Sequence, residues 1–156
     1  MGKAKGRGKK AKGKKKKTSH SRDAGAQSRP TDASSQSQRE ELVKVEWLAR
    51  NGRIDMADAY GWTPLMHACY DSNVGMVKLL IEYGAALDKA NSNGATPLYI
   101  ACQQGHATVA GLLIEHKASI VKAKNDGTTP LWIACQNGHA AVVGLLIEHK
   151  ASIDKA

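Results

Sequence analysis

Three near-copies of one eleven-residue phrase stand at a fixed spacing along this chain. They read TPLMHACYDSN from Thr63, TPLYIACQQGH from Thr96 and TPLWIACQNGH from Thr129, each 33 residues after the last. An active site has no use for three equivalent nucleophiles. A structural unit that cannot bury its apolar face alone does need neighbours of its own kind. Cut at 58–90, 91–123 and 124–156, the second and third units agree at 24 of 33 positions.

Each unit carries the signals of two short helices. Pro64, Pro97 and Pro130 stand where a first helical turn tolerates a missing N–H, and a run such as LYIACQQ follows until Gly105 or Gly138 breaks it. The next run is apolar at i, i+3 and i+4: Val109, Leu112 and Leu113 in one unit, Val142, Leu145 and Leu146 in the next. The stretch KASIVKAKNDG suits an extended, hairpin-like loop. Ahead of the repeats, SQRE at 37–40 is a capping-box pattern and predicts a helix starting at Ser37. Leu42, Val45, Leu48 and Ala49 follow at helical spacing, and Asn51-Gly52 supplies a stop.

The 33-residue period, with T-P-L-x-x-A, G-H and V-x-x-L-L in that order, resembles the ankyrin repeat. The resemblance covers 58–156. Residues 41–57 are similar to the second helix of an incomplete leading unit, because Val45, Leu48, Gly52 and Asp55 echo Val77, Leu80, Gly84 and Asp88. It implies an all-α solenoid of stacked helix-turn-helix units with hairpin loops over 37–156, with 37–57 as the partial leading unit. This chain departs from the family in three places. Met66, Tyr99 and Trp132 replace the usual His, which puts the family's polar bridging between units in question at that site. Gly84 suits a left-handed turn after the second helix, whereas Lys117 and Lys150 at the matching positions would cost about 1–2 kcal/mol each if the turn is kept. The first unit has Ser72-Asn73 where the others have Gly-His.

Charge divides the chain. Residues 1–40 hold thirteen Lys/Arg against three acids, a net of +10, and the remainder holds ten against eleven, a net of −1. Residues 1–36 offer almost no apolar surface to offset the entropy of ordering, so the sequence predicts a disordered basic tail there. Lys9, Lys10, Lys12, Lys14, Lys15, Lys16 and Lys17 are the candidate contacts to an import receptor or to RNA. No aromatic residue interrupts that tail, so contact with RNA would be to phosphate and without sequence preference. Gly6 stands where an N-myristoylation signal wants Ser or Thr, and no run nears the roughly 18 apolar residues of a spanning helix. Membrane attachment is not expected. The charged start lacks the apolar core of a secretory signal, and three cysteines point to a reducing, intracellular compartment, nuclear or cytoplasmic.

Catalytic and metal chemistry find little footing. Cys102 with His106 and Cys135 with His139 have a spacing that zinc ligands use, but a helix break parts each pair and Cys69 lacks the His. Stacked one repeat apart, on the order of 8–10 Å, the three cysteines lie beyond disulfide reach and read as buried thiols. No nucleophile with a base and an orienting group stands out, and no glycine-rich phosphate loop follows a strand. No cofactor is implied, and the chain reads as non-catalytic.

The resemblance implies instead a protein-interaction module, an adaptor or scaffold, with contacts from the hairpin tips and the open side of each first helix. Mapped onto this sequence, those positions are Ala59, Tyr60, Trp62, Tyr70 and Asp71 in the first unit. They are Ser92, Asn93, Ala95, Gln103 and Gln104 in the second, and Asn125, Asp126, Thr128, Gln136 and Asn137 in the third. Tyr60, Trp62 and Tyr70 make the first unit different in kind, since exposed aromatics are the usual anchors of interfaces. An RNA- or ribosome-associated factor, with phosphate held by the tail and a partner recruited by the repeats, is the alternative. The last unit keeps interior-type residues, among them Leu131, Ile133, Val142, Val143, Leu145 and Leu146, so an apolar outer face and end-to-end self-association are also expected.

Overall fold

The structure is a computed structural model, and it describes residues 32–153. The basic stretch 1–31, which holds most of the segment expected to be disordered, lies outside the described residues, as do 154–156. Seven helices follow in order: α1 (Asp32–Arg50), α2 (Pro64–Tyr70), α3 (Val74–Glu82), α4 (Pro97–Gln104), α5 (Ala107–Glu115), α6 (Pro130–Gln136) and α7 (Ala140–Ile153). Among the described residues there is no strand, and the linking hairpins are built from turns.

The repeated phrase forms helices by one mechanism three times. Thr63, Thr96 and Thr129 are the N-caps, and each hydroxyl accepts a hydrogen bond from the backbone N–H three residues on, at 3.3, 3.2 and 3.2 Å. The proline that follows each cap stands in the first turn, where no intrahelical donor is lost. Thr63 and Thr96 are fully buried polar groups whose bonding is complete.

Helices α2, α4 and α6 stack side by side, and α1, α3, α5 and α7 form the second layer. Leu65, Leu98, Val77, Leu80, Val109, Leu113, Val142 and Leu146 fill the space between layers. Polar contacts then recur with the period of the sequence. The imidazole of His106 donates from Nε2 to the Tyr70 carbonyl, and His139 does the same to Gln103, both at 3.0 Å. Asp55 accepts the Ala86 N–H and Asp88 accepts the Ser119 N–H, each at 2.8 Å. In the first unit Asn73 takes the histidine's place. Its side chain caps Met76 N–H at 3.0 Å and donates to Glu41 of α1 at 2.6 Å.

Several expectations are corrected. Helix α1 begins at Asp32, not Ser37, and Ser37 lies inside it. No Gly or Pro stands between 32 and 41, and extending a helix already docked through Val45 costs far less than nucleating one. The left-handed turn is kept at Lys117, with φ of 72°, but α7 runs straight through Lys150. Val121 stands where Asp55 and Asp88 stand at the earlier junctions, so no carboxylate is there to receive a turning N–H. Polar bridging survives at one of the departed histidine sites, where the Tyr99 hydroxyl lies 3.1 Å from that of Thr128 in the next unit. Cys69 and Cys102 are buried, which pushes both thiols up to about 12. Cys135 is exposed, because no further unit lies against α6 among the described residues.

The same reason exposes the outer face of the third unit. Trp132 is 50% exposed where its counterpart Tyr99 is 3%, and Ile147 is 54% exposed where Ile114 is 7%. Val143 is half-buried on this face, whereas Leu146 faces inward and is buried. One pair of equivalent isoleucines thus isolates the value of a neighbour. Ile114→Ala is expected to destabilise the fold by about 2–4 kcal/mol. Ile147→Ala is expected to cost under about 1 kcal/mol. Urea unfolding followed by helical circular dichroism measures both, and equal losses would mean that the third unit's outer face is already covered.

Candidate functional site

The hairpin tip of the first unit is closed by its own backbone and by one carboxylate. Asp58 N–H donates to the Trp62 carbonyl and Gly61 N–H to the Asp58 carbonyl, both at 3.0 Å. The Asp58 carboxylate accepts the N–H groups of Tyr60 at 2.9 Å and Trp62 at 3.0 Å, and lies 3.1 Å from Nε2 of His67. The Trp62 N–H, ahead of the Tyr60 N–H and His67, holds that carboxyl below its ordinary 3.8. Gly61 has φ of 80°, and a side chain there would come within 2.8 Å of the Ser92 backbone nitrogen, so only glycine fits.

The second unit makes the same turn with an amide. Asn91 accepts the N–H groups of Asn93 at 3.0 Å and Ala95 at 2.9 Å. In the third unit Lys124 occupies that position and Asp126 closes the turn, accepting Thr128 N–H at 3.0 Å and pairing with the Lys124 ammonium at 3.0 Å. Bonds from the Thr128 hydroxyl and N–H, with Lys124 adding to them, lower the Asp126 carboxyl from 3.8 to about 2. Adjacent tips are tied together. Ser92 donates to the Tyr60 carbonyl from its N–H at 3.1 Å and its hydroxyl at 2.8 Å. The Asn125 side chain donates to the Ser92 carbonyl at 3.1 Å, and its N–H to the Asn93 carbonyl at 3.0 Å.

On this fixed frame the first unit carries its aromatic residues. The Trp62 ring lies 5.2 Å from that of His67 and 5.8 Å, edge-on, from that of Tyr70. Tyr60 is 76% exposed and Tyr70 50%, while Trp62 is half-buried against the core. Asp58, Tyr60, Trp62, His67 and Tyr70 line one open hollow of about 250 Å³. Beside it, a groove of about 480 Å³ runs between α1 and α2, walled by Trp62, His67 and Asp71 on one side and by Glu41, Lys44 and Leu48 on the other. It exists because α1 stands in the layer of second helices, and no first helix lies in front of α2 among the described residues.

Of the residues expected at the surface, Ala59, Asp71, Ser92, Asn93, Gln103, Asn125, Asp126, Gln136 and Asn137 are exposed. Gln104 and Thr128 are half-buried. Ala95 is buried and cannot serve as a contact, since its own hairpin folds over it. Asn137 is spent partly on stacking, donating to the Gln103 carbonyl at 2.9 Å. The sequence alone does not mark Asp58 and His67 as part of this surface. A carboxylate two residues before Tyr60 was the available sign of an Asx turn. The lysines from Lys9 to Lys17 lie outside the described residues.

Comparison with known proteins agrees with this architecture. The family model described as ankyrin repeats (3 copies) matches residues 32–123 and again 83–156. A horse (Equus caballus) protein, "Ankyrin repeat, SAM and basic leucine zipper domain-containing protein 1", is 44% identical over 46 residues. A putative ankyrin repeat protein of Rickettsia bellii is 42% identical over 49 residues. These matches cover 29% and 31% of this chain but only 10% and 14% of the two relatives. Threonine caps, paired short helices and linked hairpins at a 33-residue period, matched across the described residues, place the chain in the ankyrin-repeat family.

Proposed function

We propose that this chain is a non-catalytic adaptor or scaffold that binds a protein partner through the aromatic tip and first helix of its leading full unit. The observation that carries the reading is the grouping of Tyr60, Trp62 and Tyr70 around one open hollow on a backbone tied to the next hairpin. Large side chains with few rotatable bonds, held on a fixed frame, lose little entropy on binding. The corresponding positions of the second unit, Asn93, Ala95 and Gln103, and of the third, Asp126, Thr128 and Gln136, offer no aromatic ring; of these the exposed Asn93, Gln103, Asp126 and Gln136 would flank the contact. Affinity capture from cell extract, comparing the native chain with Tyr60→Ala/Tyr70→Ala, tests this. Both tyrosines are exposed, so the fold should be unaffected, and loss of two anchors should weaken partner binding by at least about 30-fold. Unchanged capture would remove the aromatic tip from the function.

The second reading concerns the tail. A net charge of +10 in the first forty residues, against −1 in the rest, supports contact with a polyanion or with an acidic import receptor. The alternative, an RNA- or ribosome-associated factor, uses the same lysines on phosphate. Binding to a single-stranded RNA should then weaken with salt at a slope of about −0.7 per phosphate contact. Substituting Gln at Lys14, Lys15, Lys16 and Lys17 is expected to flatten that slope by up to about 3 and to disperse a nuclear pool. If the substituted protein keeps both its location and its salt dependence, these lysines neither target the chain nor bind RNA.

A further inference from the structure

We propose that the hollow at the tip of the first unit is a recognition site for a cationic side chain, lysine or arginine, presented by the partner. This deepens the reading above and rests on it. The inference starts from a comparison the protein makes with itself. Asp58 and Asn91 occupy equivalent positions and close equivalent turns, each accepting two backbone N–H groups through one oxygen. An amide oxygen therefore suffices for the turn. The charge on Asp58 is not needed to close the turn; its second oxygen lies 3.1 Å from Nε2 of His67, and both residues line the hollow.

The surroundings select the sign of the ligand. Three rings, those of Tyr60, Trp62 and Tyr70, border the hollow beside that carboxylate. Aromatic faces carry negative potential and attract cations, and a nearby carboxylate adds to the attraction. Asp71 and Glu41 wall the adjoining groove from opposite sides, and Lys44 stands on the same side as Glu41. Elsewhere the chain already holds a lysine by this combination: the Lys124 ammonium lies 5.7 Å above the Tyr99 ring while it pairs with Asp126. Among the described residues, the hollow of the first unit has the ring and the carboxylate and no lysine lining it. An anionic ligand would meet Asp58 without a compensating charge beyond His67.

The test follows the indole N–H resonance of Trp62 in the full chain, assigned with Trp62→Phe, during titration with short peptides. The probes are a glycine peptide bearing two arginines, its lysine counterpart and its glutamate counterpart. The arginine and lysine peptides are expected to shift the resonance saturably, and the glutamate peptide is not. Asp58→Asn should preserve the turn, as Asn91 does in the second unit, and weaken cation binding by up to about fivefold. Tyr60→Ala should weaken it similarly. Equal shifts with the glutamate peptide, or an Asp58→Asn variant that binds the arginine peptide unchanged, would overturn the proposal. If no peptide binds while Tyr60→Ala/Tyr70→Ala still abolishes partner capture, the cation assignment falls and the aromatic surface stands. If neither effect is seen, both fall.

Discussion

Helices of seven to nine residues do not persist alone in water, because nucleation consumes most of what so few backbone bonds return. Everything in this molecule depends on giving each short helix a neighbour. The threonine hydroxyl and the proline fix where each first helix begins, and the adjacent unit then removes its apolar side from water. The dependence is visible where no neighbour lies among the described residues. Tyr99 and Trp132 share a position and a local sequence, yet one is enclosed and the other stands in solvent. Burial here belongs to the junction, not to the residue.

The polar contacts obey the same logic and add direction. Imidazole to carbonyl, carboxylate to N–H and hairpin to hairpin, the bonds run from one unit to the next at recurring positions. They set register where apolar packing alone would permit sliding. They also immobilise the tips, so that side chains there project from a backbone that has nowhere to relax. A surface of that kind recognises shape with little reorganisation.

Much of this was legible in the sequence, because a period of 33 residues fixes helix order, pairing and layer at once. The residues that escaped did so for identifiable reasons. The local capping pattern points to Ser37 as the start of α1, whereas its position follows from propagation of a docked helix through residues with no breaker. Ala95 reads as a tip residue, but the hairpin around it closes over a side chain that small. Cys135 carries the same neighbours in sequence as Cys102, and what distinguishes them is that no covering unit lies against Cys135 among the described residues. Asp58 and His67 look like ordinary loop and helix residues until the hairpin brings them within 3.1 Å beside Trp62. Pairwise contacts across a turn leave little trace in composition.

Val121 carries a consequence for how the stack comes apart. At the first two junctions an aspartate clasps the turn that follows the next second helix, and at the third a valine stands in its place. Helix α7 accordingly runs on to Ile153 where α3 and α5 have stopped and turned. In a quasi-linear array, local opening begins at an element whose end is not clasped by its neighbour. Amide hydrogens in the last turns of α7 should therefore exchange ahead of those at the ends of α3 and α5. One side chain thus leaves α7 without the clasp that ends α3 and α5.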